Sequence, residues 1–536
     1  MKVTLASLSA PSAWEALGVT LPAFDVAAMR EATLARPTWV HFGGGNIFRA
    51  FIAGLQQKLL NRGLVREGII AADTFDVDNI RLIYGGYDNL TMSVTLNVDA
   101  SIGCELIASV AEALVAQPSD ADFSRLAAVF EAPSLQLASF TITEKGYALR
   151  GLDGQFSPVV LSDIENGPGA ARHAMSIVTA LLNRRYLAGG QPIAMVSMDN
   201  CSHNGDKLYA AVNAFAEKWC AAGLADKDFL AYVNDKTKVS FPWSMIDKIT
   251  PRPDAKVEKI FSDDGMENLE PVITSKNTYI APFVNAEECE YLVIEDAFPN
   301  GRPALDKGGI IFTDRETVDK VEKMKVCTCL NPLHTTLAVY GCLLGYTLIA
   351  DEMKNPLLKK FVEKVGYVEG LPVVVDPGII APSDFIDTVV NTRIPNPFMP
   401  DTPQRIACDT SQKLPIRFGE TIKAYEKSST LDVKSLKFIP LVYAGWLRYL
   451  MAVDDKGNAF ELSPDPLLDT VTPFVKAYEL SDAPKDLSKL DELLKNDKIF
   501  GVDLCAIGMA DTVKSYFAEL SAGKGCVEKT LEKYLA

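Results

Sequence analysis

The sequence is short of the features that mark several large protein classes. No apolar run reaches the length of a bilayer span. The longest candidate, LAVYGCLLGYTLIA at 337–350, stops short and carries Gly and Tyr. The first residues, MKVTLASLSAPSAWEAL, have one Lys and Ser/Pro interruptions but no apolar core, so a signal peptide is not expected. Basic residues are in the minority: 53 Lys and Arg against 69 Asp and Glu leave a formal charge of −16. That balance argues against a nucleic-acid partner or an anionic membrane surface, though not against a local basic pocket for a small anion. Histidine is scarce, at four residues, and no internal repeat or low-complexity tract is visible. The ten cysteines are scattered rather than arranged as a disulfide framework, which fits reduced thiols in a cytoplasmic protein.

What remains is an ordinary globular composition, 48% hydrophobic and 23% charged. At 536 residues the chain exceeds what one core usually supports, so two or more domains are expected. The segment from Pro37 reads as strand, glycine turn, helix: Thr38 to Phe42 is β-prone, Gly43 to Gly45 turn, and Ile47 to Leu60 has helical apolar spacing closed by Gly63. GIIAAD at 68–73 follows as a second strand, with further buried-type strands at 135–143 and 192–199 and helices between them. This is the opening of a parallel α/β sheet of the Rossmann type. After Gly308 the chain becomes mostly amphipathic helices. The expected division is an α/β N-terminal domain over 1–312 and a largely α-helical C-terminal domain over 313–536.

A strand leading through G-x-G into a helix offers backbone N–H groups and a positive dipole end to a diphosphate. Gly43 and Gly45 fill the first two glycine positions, Phe48 stands where the third would be, and Asn46, Ile47 and Arg49 complete the turn into the helix. Asp73, at the end of the second strand, is placed to accept from adenosine ribose hydroxyls and to repel a 2′-phosphate, favouring NAD over NADP. It also reads as a loop-entry aspartate. Glu144 and Lys145, just past a strand's carboxyl end, are placed for ligand contacts or for a surface ion pair.

Several segments converge further: HFGGGNIFRA at 41–50, TITEKGY at 141–147, SMDNCSHNG at 197–205, FPWSMIDKITP at 241–251, YLVIEDAFPNGRPALDKGG at 291–309, MKVCTCLNPLH at 324–334, and TRIPNPFMPD with CDTSQKLP between 392 and 415. In that order they resemble the long-chain mannitol dehydrogenase family of polyol and sugar-acid dehydrogenases. The resemblance implies a Rossmann-type domain, a helical domain and a metal-independent active site between them. The implied activity is NAD(P)-dependent interconversion of a secondary alcohol and a ketone on an open-chain polyol or sugar acid, in a monomer or weak oligomer.

Carried over by position, the resemblance makes Lys325 the acid/base lysine, Asn331 and Asn200 the carboxamides that polarise the carbonyl, His334 a substrate contact, and Asp247 a residue that positions water or the lysine. The chemistry asks for such a set, because hydride transfer builds negative charge on oxygen and a proton must follow. Two departures stand out. The family's glycine turn usually continues Phe-His-Arg where this chain has Ile47-Phe48-Arg49, and its lysine lies five residues before the asparagine where Lys325 lies six before Asn331. On an uninterrupted α-helix one residue is about a 100° rotation, which a helix bulge would absorb. Asn331-Pro332 predicts a helix break, with Asn331 as the N-cap and a new helix from Pro332. His334 then lies in a first turn whose dipole disfavours imidazolium.

Cys327 and Cys329 form C-x-C with one nearby histidine, too few ligands for a closed zinc site, so no metal is expected. Arg393, Asn396 and Lys413 are the substrate-recognition candidates. A guanidinium fork and an ammonium favour a sugar acid, with fructuronate and mannonate ahead of fructose and mannitol or of tagaturonate. A different class of function is a dinucleotide-binding sensor that kept the fold and lost catalysis.

Overall fold

The computed structural model describes residues 1–151, 153–480 and 486–535. They form two compact units, one of residues 1–97 with 101–319 and one of residues 98–100 with 320–536.

The first unit is built on a six-stranded sheet among the described residues: β1 (Trp39–Phe42), β2 (Ile69–Asp73), β3 (Val110–Val115), β4 (Leu137–Phe140), β5 (Ile193–Ser197) and β6 (Val239–Ser240). The order across the sheet is β3-β2-β1-β4-β5-β6, with every neighbouring pair parallel. This is the dinucleotide-binding order, in which the strand sequence reverses between β1 and β4 and ligands lie beyond the carboxyl ends of the strands. Every residue of β1, β2, β4 and β5 is buried, as a sheet covered on both faces requires. Alternation sorts the side chains: Val40, Phe42, Ala138 and Phe140 share one core with Leu181, Phe215 and Trp219, while Trp39, Ala71, Leu137 and Val196 share another with Phe51, Leu55 and Ile294.

Besides the two-stranded pairing of Val272–Ile273 with Tyr279–Ile280, two smaller sheets belong to the same unit among the described residues. One orders Val19–Thr20, Ile102–Ile107, Thr91–Leu96 and Phe283–Glu287; the other orders Ser244–Asp247, Tyr291–Glu295 and Ile311–Thr313.

The second unit is helical over its described residues. Its most buried elements are the helices Asn331–Leu344 and Phe438–Tyr449, joined by a hydrogen bond of 2.7 Å from the Tyr340 hydroxyl to the Leu441 carbonyl. The buried Glu369 carboxylate caps the second of these, accepting from the backbone N–H groups of Phe438 at 2.8 Å and Ile439 at 2.7 Å. Several helices contain wide turns in which an N–H reaches five residues back. They cover Lys325–Cys329, Lys364–Gly370, Val389–Arg393 and Pro415–Gly419 in this unit, and Phe48–Ile52 and Asn79–Tyr84 in the first. Such π turns add one residue to a helix and recur at functional sites.

Candidate active site

In the first unit the glycine turn joins β1 to the helix that begins at 46. Gly43 has φ +99°, and a Cβ there would overlap the Thr141 carbonyl, so only glycine lets β1 and the segment after β4 approach this closely. The Gly44 carbonyl is held from the other side by Asn79 Nδ2 and the Tyr84 hydroxyl, each at 2.8 Å. Gly45 is different: it is exposed, and a Cβ on it would meet nothing within 4 Å. The turn is therefore braced underneath and open above, a cradle suited to a diphosphate at the helix start.

Asn46 and Ile47 are half-buried on the rim of this turn, but Phe48 and Arg49 face inward. Phe48 stacks on His41 with ring centroids 4.3 Å apart. Arg49 donates to Thr91 Oγ1 at 3.1 Å and to the Ala281 carbonyl at 2.7 Å, leaving Nη1 without a partner among the described residues; burial lowers its pKa to about 10. Asp73 is buried at the end of β2, its Oδ1 accepting from Phe75 N at 2.8 Å and Asp76 N at 3.0 Å. Burial raises its pKa, opposed by those N–H groups. Glu144 and Lys145 are both exposed beyond β4, with Glu144 paired to Lys207.

Asn200 is exposed and follows β5, while Asp247 is buried at the end of Ser244–Asp247. Two residues that sequence reasoning passed over organise this region. Asp199 accepts from Ile142 N at 3.0 Å, Thr143 N at 2.8 Å and the Tyr147 hydroxyl, holding Thr143 at φ +65°. Asn204 donates to the Asp199 carbonyl at 3.0 Å and the Ser244 carbonyl at 2.9 Å, tying the segment after β5 to the strand that ends in Asp247. Both lie inside SMDNCSHNG, where an Asp and an Asn flanking Asn200 were the available signal.

In the second unit Lys325 is buried, whereas Lys323 is exposed. Lys325 opens the π turn Lys325–Cys329, and the Leu330 N–H bonds to its carbonyl at 3.1 Å. The helix then breaks as expected, but one residue early. Leu330 takes φ −128°, ψ −62°, and the next helix starts at Asn331 with Pro332 in second place. Asn331 is thus the first helical residue rather than the cap.

His334 lies in this first turn with its side chain 15% exposed, its Nε2 3.9 Å from Asp401 Oδ2. Its pKa is lowered to about 4, chiefly by burial; Asp401 opposes this, and Arg393, Arg417 and Arg405 add to it. Burial and three guanidinium groups thus favour the neutral imidazole. Arg393 and Asn396 are buried. Lys413 donates to the carbonyls of Ile406, at 3.1 Å, and Cys408, and its pKa is lowered by burial and by Arg417. Arg417, absent from the sequence candidates, donates to Thr335 Oγ1 and lies 3.5 Å from the Asn331 carbonyl. Cys329 is a buried thiol with its pKa pushed up to about 12, and no group of three or more His, Cys, Asp or Glu is placed to hold a metal among the described residues.

Comparison with known families matches residues 37–307 to the mannitol dehydrogenase Rossmann domain and residues 317–520 to the mannitol dehydrogenase C-terminal domain. The chain belongs to the mannitol dehydrogenase family. It is 50% identical over 535 residues to D-mannonate oxidoreductase of Thermotoga maritima, covering 99% of both chains. It is 28% identical to D-mannonate oxidoreductase of Escherichia coli, covering 87% of this chain and 92% of that one. Among solved structures, the Pseudomonas fluorescens mannitol 2-dehydrogenase ternary complex with NAD and D-mannitol superposes with a TM-score of 0.69 at 27% identity, covering 100% of this chain and 99% of that one. The α/β and helical halves of the mannitol dehydrogenase fold are thus both present, in the order expected from the sequence.

Proposed function

We propose that the chain is an NAD-dependent oxidoreductase that interconverts D-fructuronate and D-mannonate. The observation that carries the substrate class is electrostatic. In a chain of net charge −16, Arg393, Arg405 and Arg417 all act on His334, and Lys413 feels Arg417 and Arg405. Asp401 already pairs with Arg405 in this group, and a sugar carboxylate has the geometry to join such a cluster of guanidinium and ammonium groups. The 50% identity to a D-mannonate oxidoreductase over nearly the whole length supports the same substrate.

A bound nicotinamide dinucleotide would supply the hydride. The chain's own residues do the rest. Gly43, Gly45, Asn46 and Ile47 present the braced turn to the diphosphate, with Phe48 on His41 and Arg49 on Thr91 and Ala281 anchoring the helix that follows, and Glu144 and Lys145 beyond β4. Asp73 takes the ribose hydroxyls, and together with Asp76 and Asp78 it disfavours a 2′-phosphate, which is the ground for NAD over NADP. In reduction, the Lys325 ammonium gives its proton to the oxygen as the carbonyl carbon gains hydride; in oxidation the amine takes it back. By their positions in the family's motifs, Asn331 and Asn200 are assigned as the N–H donors to that oxygen, Asp247 as the residue that positions the lysine, and the neutral His334 as a partner for a substrate hydroxyl. Arg393 and Asn396 hold the remainder of the substrate, and Lys413 adds positive charge beside it.

The cofactor role falls to residues 1–312 and the substrate role to 313–536. A cytoplasmic monomer or weak oligomer fits this reading, with Cys104, Cys329 and Cys342 as buried free thiols. Parallel NADH-oxidation assays with fructuronate, tagaturonate and fructose, repeated with NADPH, decide the matter. The expected order places fructuronate with NADH first; turnover of fructose or tagaturonate in preference would replace the substrate, and no turnover with any would favour a dinucleotide sensor.

A further inference from the structure

We propose that Arg417 is the specificity residue that selects a carboxylate-bearing substrate, a role that rests on the sugar-acid reading above. Arg417 lies in the π turn Pro415–Gly419, and its Nη1 is fixed against the Asn331–Leu344 helix by Thr335 Oγ1 and by the Asn331 carbonyl at 3.5 Å. These contacts place the guanidinium on the first turn of the helix that bears Asn331 and His334.

Three observations distinguish it from Arg405 and Lys413. Both of its hydrogen-bond partners are neutral oxygens, and no carboxylate lies within ion-pair distance of it among the described residues, whereas Arg405 is paired with Asp401. It is half-buried, with its pKa lowered to about 10 by burial. Its Nε and Nη2 have no protein partner among the described residues, and a guanidinium presents those two N–H groups as the fork that a carboxylate accepts. A guanidinium fixed by neutral oxygens at the start of the helix that bears Asn331 and His334 has the chemistry of an anion subsite. Lys413, whose ammonium is spent on the Ile406 and Cys408 carbonyls, contributes field rather than contact.

The test uses the full-length protein and compares kcat/KM for fructuronate with that for fructose in the wild type, Arg417→Met and Arg417→Lys. NADH binding by fluorescence serves as the check that each variant is folded. R417M is expected to lower the fructuronate-to-fructose selectivity by about 100-fold, the order expected when a buried charged partner is lost, with the effect carried by KM. R417K is expected to recover about tenfold of that loss, since it keeps the charge without the fork. Equal losses on both substrates would make Arg417 a brace for Thr335 and overturn the proposal, as would fructuronate kinetics within about threefold of wild type in R417M. A wild type that reduces no keto sugar acid would instead sink the sugar-acid reading itself, and this proposal with it.

Discussion

The backbone N–H of Leu330 bonds to the carbonyl of Lys325, five residues earlier, at 3.1 Å. That bond closes a π turn between Lys325 and Asn331, a bulge of the kind that adds one residue to a helix. Lys325 is left buried and Lys323 exposed. Lys325→Met is expected to lower kcat by more than about 1,000-fold with NADH affinity intact, the scale of losing an acid/base group. Lys323→Met is expected to stay within about threefold of wild type, as surface changes usually do. Steady-state kinetics with a fluorescence titration of NADH separate the two. A severe loss in K323M with an active K325M would reassign the acid/base role.

His41 gives the first unit an acid limit. The ring is fully buried in β1, with Nδ1 2.7 Å from Ser139 Oγ and Nε2 2.8 Å from Thr141 Oγ1, and burial lowers its pKa to about 3. The unfolded chain binds a proton near pH 6.5 and the folded chain does not, so the stability from this residue is present above that pH and is lost as pH falls toward 3. The slope is about 1.4 kcal/mol per pH unit. Urea unfolding at pH 6.5, 5.5 and 4.5 should show a steeper decline for the wild type than for His41→Asn. Parallel declines would show that His41 does not set the limit.

Much of the first unit is legible in the residues themselves. β1, β2, β4 and β5 are continuous apolar runs, because a strand covered on both faces has no polar side to show. β3 escapes notice because Glu112 and Ala113 within it are only partly buried, and β6 because two residues carry no pattern. The pairing of Thr91–Leu96 with Phe283–Glu287 joins segments nearly 200 residues apart, which no local periodicity reports. In the second unit the same contrast holds at the site. Lys325, Asn331 and His334 form one compact sequence cluster, but Asp401, Arg405 and Arg417 reach His334 through tertiary packing. Arg417 sits two residues past the end of CDTSQKLP, where it reads as the charged face of an amphipathic helix.

Glu352 limits stability at the opposite end of the pH range. It is fully buried, neither carboxylate oxygen has a hydrogen-bond partner among the described residues, and it lies so close to Gly341 that a Cβ there would overlap it. Burial raises its pKa well above the usual value, so the folded chain keeps the proton that the unfolded chain releases. The sign is opposite to that of His41: the contribution is full below about pH 4.5 and declines as pH rises toward the folded pKa, again by about 1.4 kcal/mol per unit. Glu352→Gln removes this slope. The difference in Tm between variant and wild type should therefore move in the variant's favour between pH 5 and pH 8, and a constant difference would show that Glu352 ionises freely in the fold.

Gly43 and Gly45 separate folding from cofactor binding within one turn. At Gly43 both the positive φ and the Thr141 carbonyl oppose a side chain, so Gly43→Ala must push β1 away from the segment after β4. A loss of about 2 kcal/mol or more is expected, with NADH binding weakened only as a consequence. At Gly45 a methyl group meets no protein atom, and Gly45→Ala should leave the urea midpoint close to wild type. If the diphosphate lies over the open side of this turn, that methyl group occupies its place, and NADH affinity should fall by about tenfold or more, the cost of one clash at a close backbone–ligand contact. Paired measurements of unfolding and NADH affinity decide it. A Gly45→Ala protein that binds NADH as tightly as wild type would remove the diphosphate from this turn, whatever role Lys325 proved to have.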